Sequence, residues 1–325
     1  MTTINRRTTL AALLGAMALP VVPARAAGLD ELRLDWATYN PVSIVVKDQG
    51  LMEKEFAADN IPVVWVQSLG SNKALEFLSA GSIHFGSTAG AAALINRING
   101  NPVRSVYVFS RPEWTALVTM KDSPINTVAD LKGKKVAVTR GTDPHVFLVR
   151  ALADAGLSDS DVTFVLLQHA DGRLALTRGD VDAWAGLDPM MASAELQDGA
   201  RLFFRKPEAN TWGVLNVSEE FAAQHPDIVK RVIKVYEQGR AWAIANPDAL
   251  AELLAKTAKI PVEVARKQLG ERTDLTHNKI GDAQRESIVA AGNALQQAGV
   301  IEAGVDVQAA VDKLIDPSFT EGLAN

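Results

Sequence analysis

Apolar positions along the chain switch between two periods. In "ELRLDW", Leu32, Leu34 and Trp36 alternate with Arg33 and Asp35, which predicts a strand. "NPVSIVVKDQGLMEKEF" follows with a helical pattern, Asn40 as its cap and Pro41 at the first helical position. The succession then repeats. "IPVVWVQ" reads as a strand and "SNKALEFLSAG" as a helix opened by Ser71. "SIHFG" reads as a short strand and "STAGAAALINRI" as a helix opened by Ser87 or Thr88, before the strand "VRSVYVF". Strand and helix in turn predict an α/β domain with a mostly parallel sheet.

A second α/β unit starts near Glu113. "WTALVTM" and "KKVAVT" read as strands, and Asp143-Pro144 opens the helix after the second of them. "VTFVLL" precedes the helix "ADGRLALTRG", and "VDAWAGL" precedes Asp188-Pro189 and "MMASAELQDG". "RLFFR" and "TWGVLNV" close the unit. From "SEEFAAQHPDIVKRVIKVYEQGRAWAIANPD" onward the chain is almost all amphipathic helix. Such a tail makes no separate core beside two sheets, so it is expected to pack back on the first unit. The expected lobes are 27–112 plus 219–325, and an inserted 113–218. Their crossovers fall near Arg111–Thr115 and Trp212–Ser218.

Composition narrows the chemistry. The 325 residues are 47% apolar, enough for one large or two medium cores. There is no Cys, which excludes disulfides, thiolate metal sites and cysteine nucleophiles. Aromatics are 6% and the net charge is −5, a poor footprint for nucleic acid. "NRRTTLAALLGAMALPVVPARAA" reads as an export leader with Ala24-Arg25-Ala26 as its cleavage site. Losing residues 1–26 removes Arg6, Arg7 and Arg25 and no acid, taking the charge from −5 to −8. Paired arginines suit the Tat route, while Thr9 in place of the usual Phe leaves Sec equally open. No Cys follows the cleavage site and no second apolar span exists. The expectation is a protein free in the periplasm.

Asn40-Pro41, Ser71, Thr88, Asp143-Pro144 and Asp188-Pro189 each start a helix just beyond a strand. In open α/β sheets the crevice beyond the strand ends collects ligands. Helix N-termini there carry free N–H groups and the positive end of the dipole, which suit an anion. Most caps are structural, and an Asp cap occupies the N–H groups and repels an anion. The better candidates are therefore Asn40, Ser71 with the adjacent Asn72, Thr88 and the Gly141-Thr142 turn.

These residues carry a family resemblance. "KDSPINTVADLKGKKVAVTRGTDPHVFLVRALADAGL", "LEFLSAGSIHFGST", "RGDVDAWAGLDP" and "FAAQHPDIVKRV" resemble periplasmic solute-binding proteins of aliphatic sulfonate ABC importers. The likeness spans nearly all of the mature chain and is specific for the broader sulfonate, taurine and nitrate group. It implies a type II periplasmic-binding-protein fold, two α/β lobes with the ligand between them. It also implies a membrane permease and a cytoplasmic ATPase as partners. By matching motif, Ser87 and Thr88, Gly141 to Asp143, and Asp188 line the cleft. The family often has an acid where this chain has His84.

Other groups are candidates beside the motifs. Arg111 suits either a sulfonate or a hinge ion pair with Glu113. Tyr39, Trp114 and Trp212 can pack on an organic tail or belong to the core. His84, His145, His169, His225 and His277 show no metal-ligand spacing, though His145 can reach the cleft. Asp180 and Asp182 fit a turn better than a metal. No metal or cofactor is expected, and a monomer is. The leading function is capture of an aliphatic sulfonate for import, with taurine, sulfate esters or nitrate as alternatives. Enzymes on this fold, desulfinases and pyrimidine-precursor synthases, depend on a Cys that is missing here. A regulator would need a helix-turn-helix where the leader stands.

Overall fold

The computed structural model describes residues 29–323, so the expected leader lies outside the described residues. Strands β1 (Leu32–Trp36) and β2 (Val63–Gln67) pair in parallel, with helices α1 (Pro41–Asp48) and α2 (Leu51–Phe56) between them. Parallel neighbours need such a crossover, because the chain must return to the same end of the sheet. Helix α3 (Ser71–Ser79) leads to β3 (Gly86–Ala89), and α4 (Gly90–Ile98) leads to β4 (Val103–Pro112). A parallel bridge between Leu34 and Phe85 joins β1 to the residue before β3.

The chain then crosses to a second sheet. It holds β5 (Leu117–Met120), β6 (Lys135–Val138), β7 (Thr163–Leu166), β8 (Ala183–Ala185) and β9 (Ala200–Phe204), in the order β7-β6-β8-β5-β9. Helices α5 (Asp143–Asp154), α6 (His169–Arg178) and α7 (Met190–Gln197) follow β6, β7 and β8. Strand β10 (Gly213–Ser218) returns to lie antiparallel between β3 and β4. The first lobe thus runs β2-β1-β3-β10-β4, with β11 (Thr273–Asp274) on its outer edge. Both lobes share one order: second, first and third parallel strands, a visiting strand, then the fourth. The visitor is antiparallel in each, β10 in one lobe and β5 in the other.

Two expectations change. Residues 213–218 pair with β3 and β4, so they belong to the first sheet and not to the inserted unit. The apolar run "TWGVLNV" fits either sheet by pattern, and only its partners decide. The connections between sheets are therefore 113–116 and 205–212. Ser87 and Thr88 do not open a helix either. They lie in β3, and Ala89 precedes α4.

The tail comprises α8 (Glu219–Gln224), α9 (Pro226–Ala245), α10 (Pro247–Ala258), α11 (Val262–Arg272), α12 (Asp282–Gln297) and α13 (Val307–Leu314). Helix α9 lays Val232, Val235 and Tyr236 into one core with Leu34, Val42 and Phe85. Helices α12 and α13 bury Ile288 and Leu314 in another, beside Leu94 of α4. Strand β10 serves both: Leu215 and Val217 enter the first core and Val214 the second. Each such side chain contributes about 1.5–3 kcal/mol of transfer free energy, before the entropy of ordering it. Among the described residues no helix is long and apolar enough to cross a membrane.

Candidate functional site

A cavity lies between the lobes, walled by residues just beyond the strand ends. Tyr39 follows β1 and Ser71 follows β2; Thr142, Asp143 and Pro144 follow β6, His169 follows β7, and Leu187 follows β8. Trp114, from the first connection, completes it. Its volume is about 10 Å³, close to the least that holds one water.

The helices around it differ in how their first N–H groups are satisfied. Helix α1 is capped by Asn40, whose Oδ1 accepts from Ser43 N at 3.1 Å. Helix α4 is closed by the second connection: Gly90 N donates to the Trp212 carbonyl at 3.0 Å and Ala91 N to Thr211 Oγ1 at 3.2 Å. In α7, Ala192 N donates to Asp188 Oδ1 at 2.9 Å. Among the described residues, helices α3, α5 and α6 have no side-chain cap, and their first residues, Ser71, Asp143 and His169, line the cavity. Three positive helix ends thus meet in one enclosed space. The caps also shift by one residue from expectation. Gly70 and Thr142 stand at the cap positions, with Ser71 and Asp143 the first helical residues.

Each wall residue has a local reason for its place. Tyr39 donates its hydroxyl to the Ser87 carbonyl at 3.0 Å and meets Trp114 edge to face, with ring centroids 6.0 Å apart. Ser71 Oγ accepts from Ala89 N at 3.0 Å, which leaves its hydroxyl proton free to donate. Gly141 turns the chain at a φ of +77°, a left-handed value that favours glycine. That turn abuts Asn72 of the opposite lobe. Thr142 donates its hydroxyl to the Thr139 carbonyl at 2.7 Å, which fixes the turn.

Asp143 sits on the wall, but its carboxylate is engaged elsewhere. Oδ2 accepts from Trp114 Nε1 at 2.8 Å and from Thr211 N at 2.9 Å, and Oδ1 accepts from Thr211 Oγ1 at 2.7 Å. Burial lifts its pKa, and these hydrogen bonds from both connections pull it back.

Several expected residues stand away from the cavity. Asn40 Nδ2 donates to Ser87 Oγ at 2.8 Å, and Ser87 N and Oγ donate to Asp35 Oδ1 at 2.9 and 2.8 Å. Thr88 Oγ1 accepts from Asn216 Nδ2 at 2.7 Å. All of these polar atoms are consumed inside the first lobe. Asp188 is bound bidentately by Arg272 at 2.7 and 2.9 Å, both side chains being 1% exposed. Arg111 lies over the Trp212 ring, 5.3 Å from its centroid, and both face an open groove with Lys279 and Gln284. The expected Arg111–Glu113 pair is not formed, because Glu113 takes two nitrogens of Arg205 at 2.7 and 2.6 Å. His84 accepts from Arg33 N at 3.1 Å and stacks on Phe221, with centroids 4.7 Å apart.

His169 was missed as a wall residue. The signal was present, since it opens a helix directly after "VTFVLL" as the other junctions do. A search for hydroxyl caps and metal spacing passes over it.

Two lobes of like topology, joined by two connections and enclosing a cavity at their strand ends, define a type II periplasmic-binding-protein fold. The chain belongs to the NMT1/THI5-like family, whose sequence profile matches residues 53–250. It is 31% identical over 249 residues to an Escherichia coli (strain K12) protein named for binding aliphatic sulfonates, across 76% of this chain and 77% of the relative. The alkanesulfonate-binding protein SsuA from Xanthomonas axonopodis pv. citri, solved bound to MOPS, superposes with a TM-score of 0.79. The two are 27% identical over 87% of this chain and 98% of that one. The periplasmic aliphatic sulphonate binding protein SsuA from Escherichia coli gives 0.74 at 27% identity, over 87% and 97% of the two chains.

Proposed function

We propose that this protein captures an aliphatic sulfonate between its lobes and delivers it to an ABC importer. The observation that carries the reading is the interlobe cavity where three uncapped helix N-termini converge, in a chain similar to proteins named for sulfonate binding. A sulfonate is a permanent tetrahedral anion whose oxygens only accept. The first turns of α3, α5 and α6 and the Ser71 hydroxyl supply donors without a buried cation, which would need desolvation.

On this reading Ser71, Asn72, Gly141 and Thr142 surround the anion, while Tyr39, Trp114 and Leu187 meet the organic part. Asn40, Ser87, Thr88, Arg111, Asp188 and Trp212 leave the ligand set. The lobes are 29–112 with 213–323, and 113–212. The closed cavity is too small to admit a sulfonate, so the ligand enters with the lobes apart and they close on it. It leaves chemically unchanged, to a permease powered by a cytoplasmic ATPase. A cleaved leader at 1–26 takes the chain to the periplasm, where one copy carries the whole cavity.

Calorimetry with short alkanesulfonates, taurine, an alkyl sulfate ester and nitrate tests this. Sulfonates are expected to bind more tightly than nitrate. Tighter nitrate binding, or a ligand recovered altered after release, would overturn the reading.

A further inference from the structure

The two ring nitrogens of His169 meet different surroundings, and the whole residue is 1% exposed. Nδ1 lies 3.2 Å from Thr139 Oγ1. The Thr139 hydroxyl has one proton, and donates it to the Leu167 carbonyl at 2.7 Å. Nδ1 of the neutral ring must therefore carry the proton and donate to Thr139. Burial pushes the imidazole down to about 3, which keeps it neutral near physiological pH.

Nε2 is left with a bare lone pair. Among the described residues it has no partner, and a Cβ added to Gly70 of the opposite lobe would stand 3.0 Å from it. Asn72 Oδ1 is buried and unpartnered too, 2.9 Å from that same point. Two acceptors, one from each lobe, converge at Gly70, next to the cavity-wall residue Ser71. The Asn72 amide can rotate to present its nitrogen, but the ring is held by Thr139. The other titratable groups on the wall offer Nε2 nothing. Asp143 is held by Trp114 and Thr211, and Tyr39 donates to Ser87.

We propose that His169 selects sulfonates whose organic part carries a hydrogen-bond donor, a hydroxyl or an amine, which Nε2 accepts. The inference rests on the sulfonate reading above. Closing the lobes on a plain alkyl chain leaves Nε2 dehydrated and unpaired. Sites built around a buried polar group reject analogues lacking its partner, here by about ten- to hundredfold.

The test is calorimetry near neutral pH with propanesulfonate and its terminal hydroxyl and amine counterparts. Wild type, His169→Phe and His169→Gln are compared, with thermal unfolding to establish that each folds. Wild type is expected to prefer the donor-bearing ligands by about ten- to hundredfold. His169→Phe is expected to level the series, and His169→Gln, which keeps an acceptor, to retain part of the preference. Equal affinities in wild type overturn the inference, as does a preference that survives in folded His169→Phe. Tighter binding of plain propanesulfonate with proton uptake overturns it as well, since Nε2 would then be a donor. If no sulfonate binds wild type, the sulfonate reading itself falls. If His169→Phe does not fold, the wild-type series alone decides.

Discussion

Asp35 shows how a single buried carboxyl couples the first lobe to pH. It is fully buried and accepts from Ser68 Oγ, Ser87 N and Ser87 Oγ. Burial lifts its pKa from 3.8 to about 6 against those hydrogen bonds. The folded state therefore binds a proton that the unfolded chain has already released between those values. Its contribution to stability is full below the unfolded pKa and is lost as pH rises through about 6. Relative to Asp35→Asn, wild type should lose about 3 kcal/mol between a pH below 3.8 and one above about 6, measured by urea unfolding. A parallel pH profile for the two would show that Asp35 titrates normally. Thr88 makes a second case. Its hydroxyl serves Asn216 and the Ala89 carbonyl, inside the lobe. Thr88→Ala is expected to cost about 1–2 kcal/mol of stability and leave sulfonate affinity unchanged. A weakened affinity with unchanged stability would put Thr88 back at the ligand.

At the scale of elements, the uncapped helices trade stability for binding. A good N-cap is worth about 0.5–2 kcal/mol, and α3, α5 and α6 forgo it. Their orphan N–H groups are what an anion would satisfy, in α5 only that of Asp143, because Pro144 has none and His145 N donates to the Thr142 carbonyl. Gln168 holds the cap position of α6 with φ −69° and ψ 159°, an extended geometry that suits a capping side chain. Gln168→Asp should therefore raise the unliganded protein's stability by about 0.5–1 kcal/mol, read as a higher thermal midpoint. The same carboxylate would occupy the N–H groups and repel the ligand, so sulfonate affinity should fall about tenfold or more. Equal affinity in the two proteins would remove α6 from the anion site.

Across the whole molecule, the tail locks the lobes at their connections. Arg272 ends α11 and reaches the other lobe, where it binds Asp188 and also Glu195 at 2.7 Å. Its carbonyl accepts from Glu113 N on the first connection at 2.8 Å. The pair lies at the pivot and out of water, so deleting one partner strands the other charge. Arg272→Met should cost about 3–5 kcal/mol by denaturant unfolding. A cost below about 1 kcal/mol would mean that the carboxylates find water or another partner. Lobe closure itself is expected to shrink the radius of gyration when a sulfonate is added, seen by small-angle scattering. No change would mean the free protein already rests closed.

Period and punctuation, both local, made much of this legible. Alternation in "ELRLDW", Pro41 and Pro144 at helix starts, and the amphipathic tail each announce their element within a few residues. Order of elements then implied two α/β lobes, since parallel strands demand crossovers. Which junctions meet was not legible in the same way. Asn40 and Ser71 look alike as helix openings, yet one is spent on Ser43 and Ser87 while the other faces the cavity. Strand β10 could extend either sheet until its register with β3 and β4 is known. Asp143 finds Thr211, Asp188 finds Arg272 and His169 comes to lie against Gly70, each far along the chain and fixed only when the lobes come together. The sequence determined the elements and the family of fold because short-range sterics and periodicity carry them. Tertiary structure alone decided which polar atoms remain unpaired at the cavity, because satisfaction of a buried group depends on every neighbour that packing brings to it.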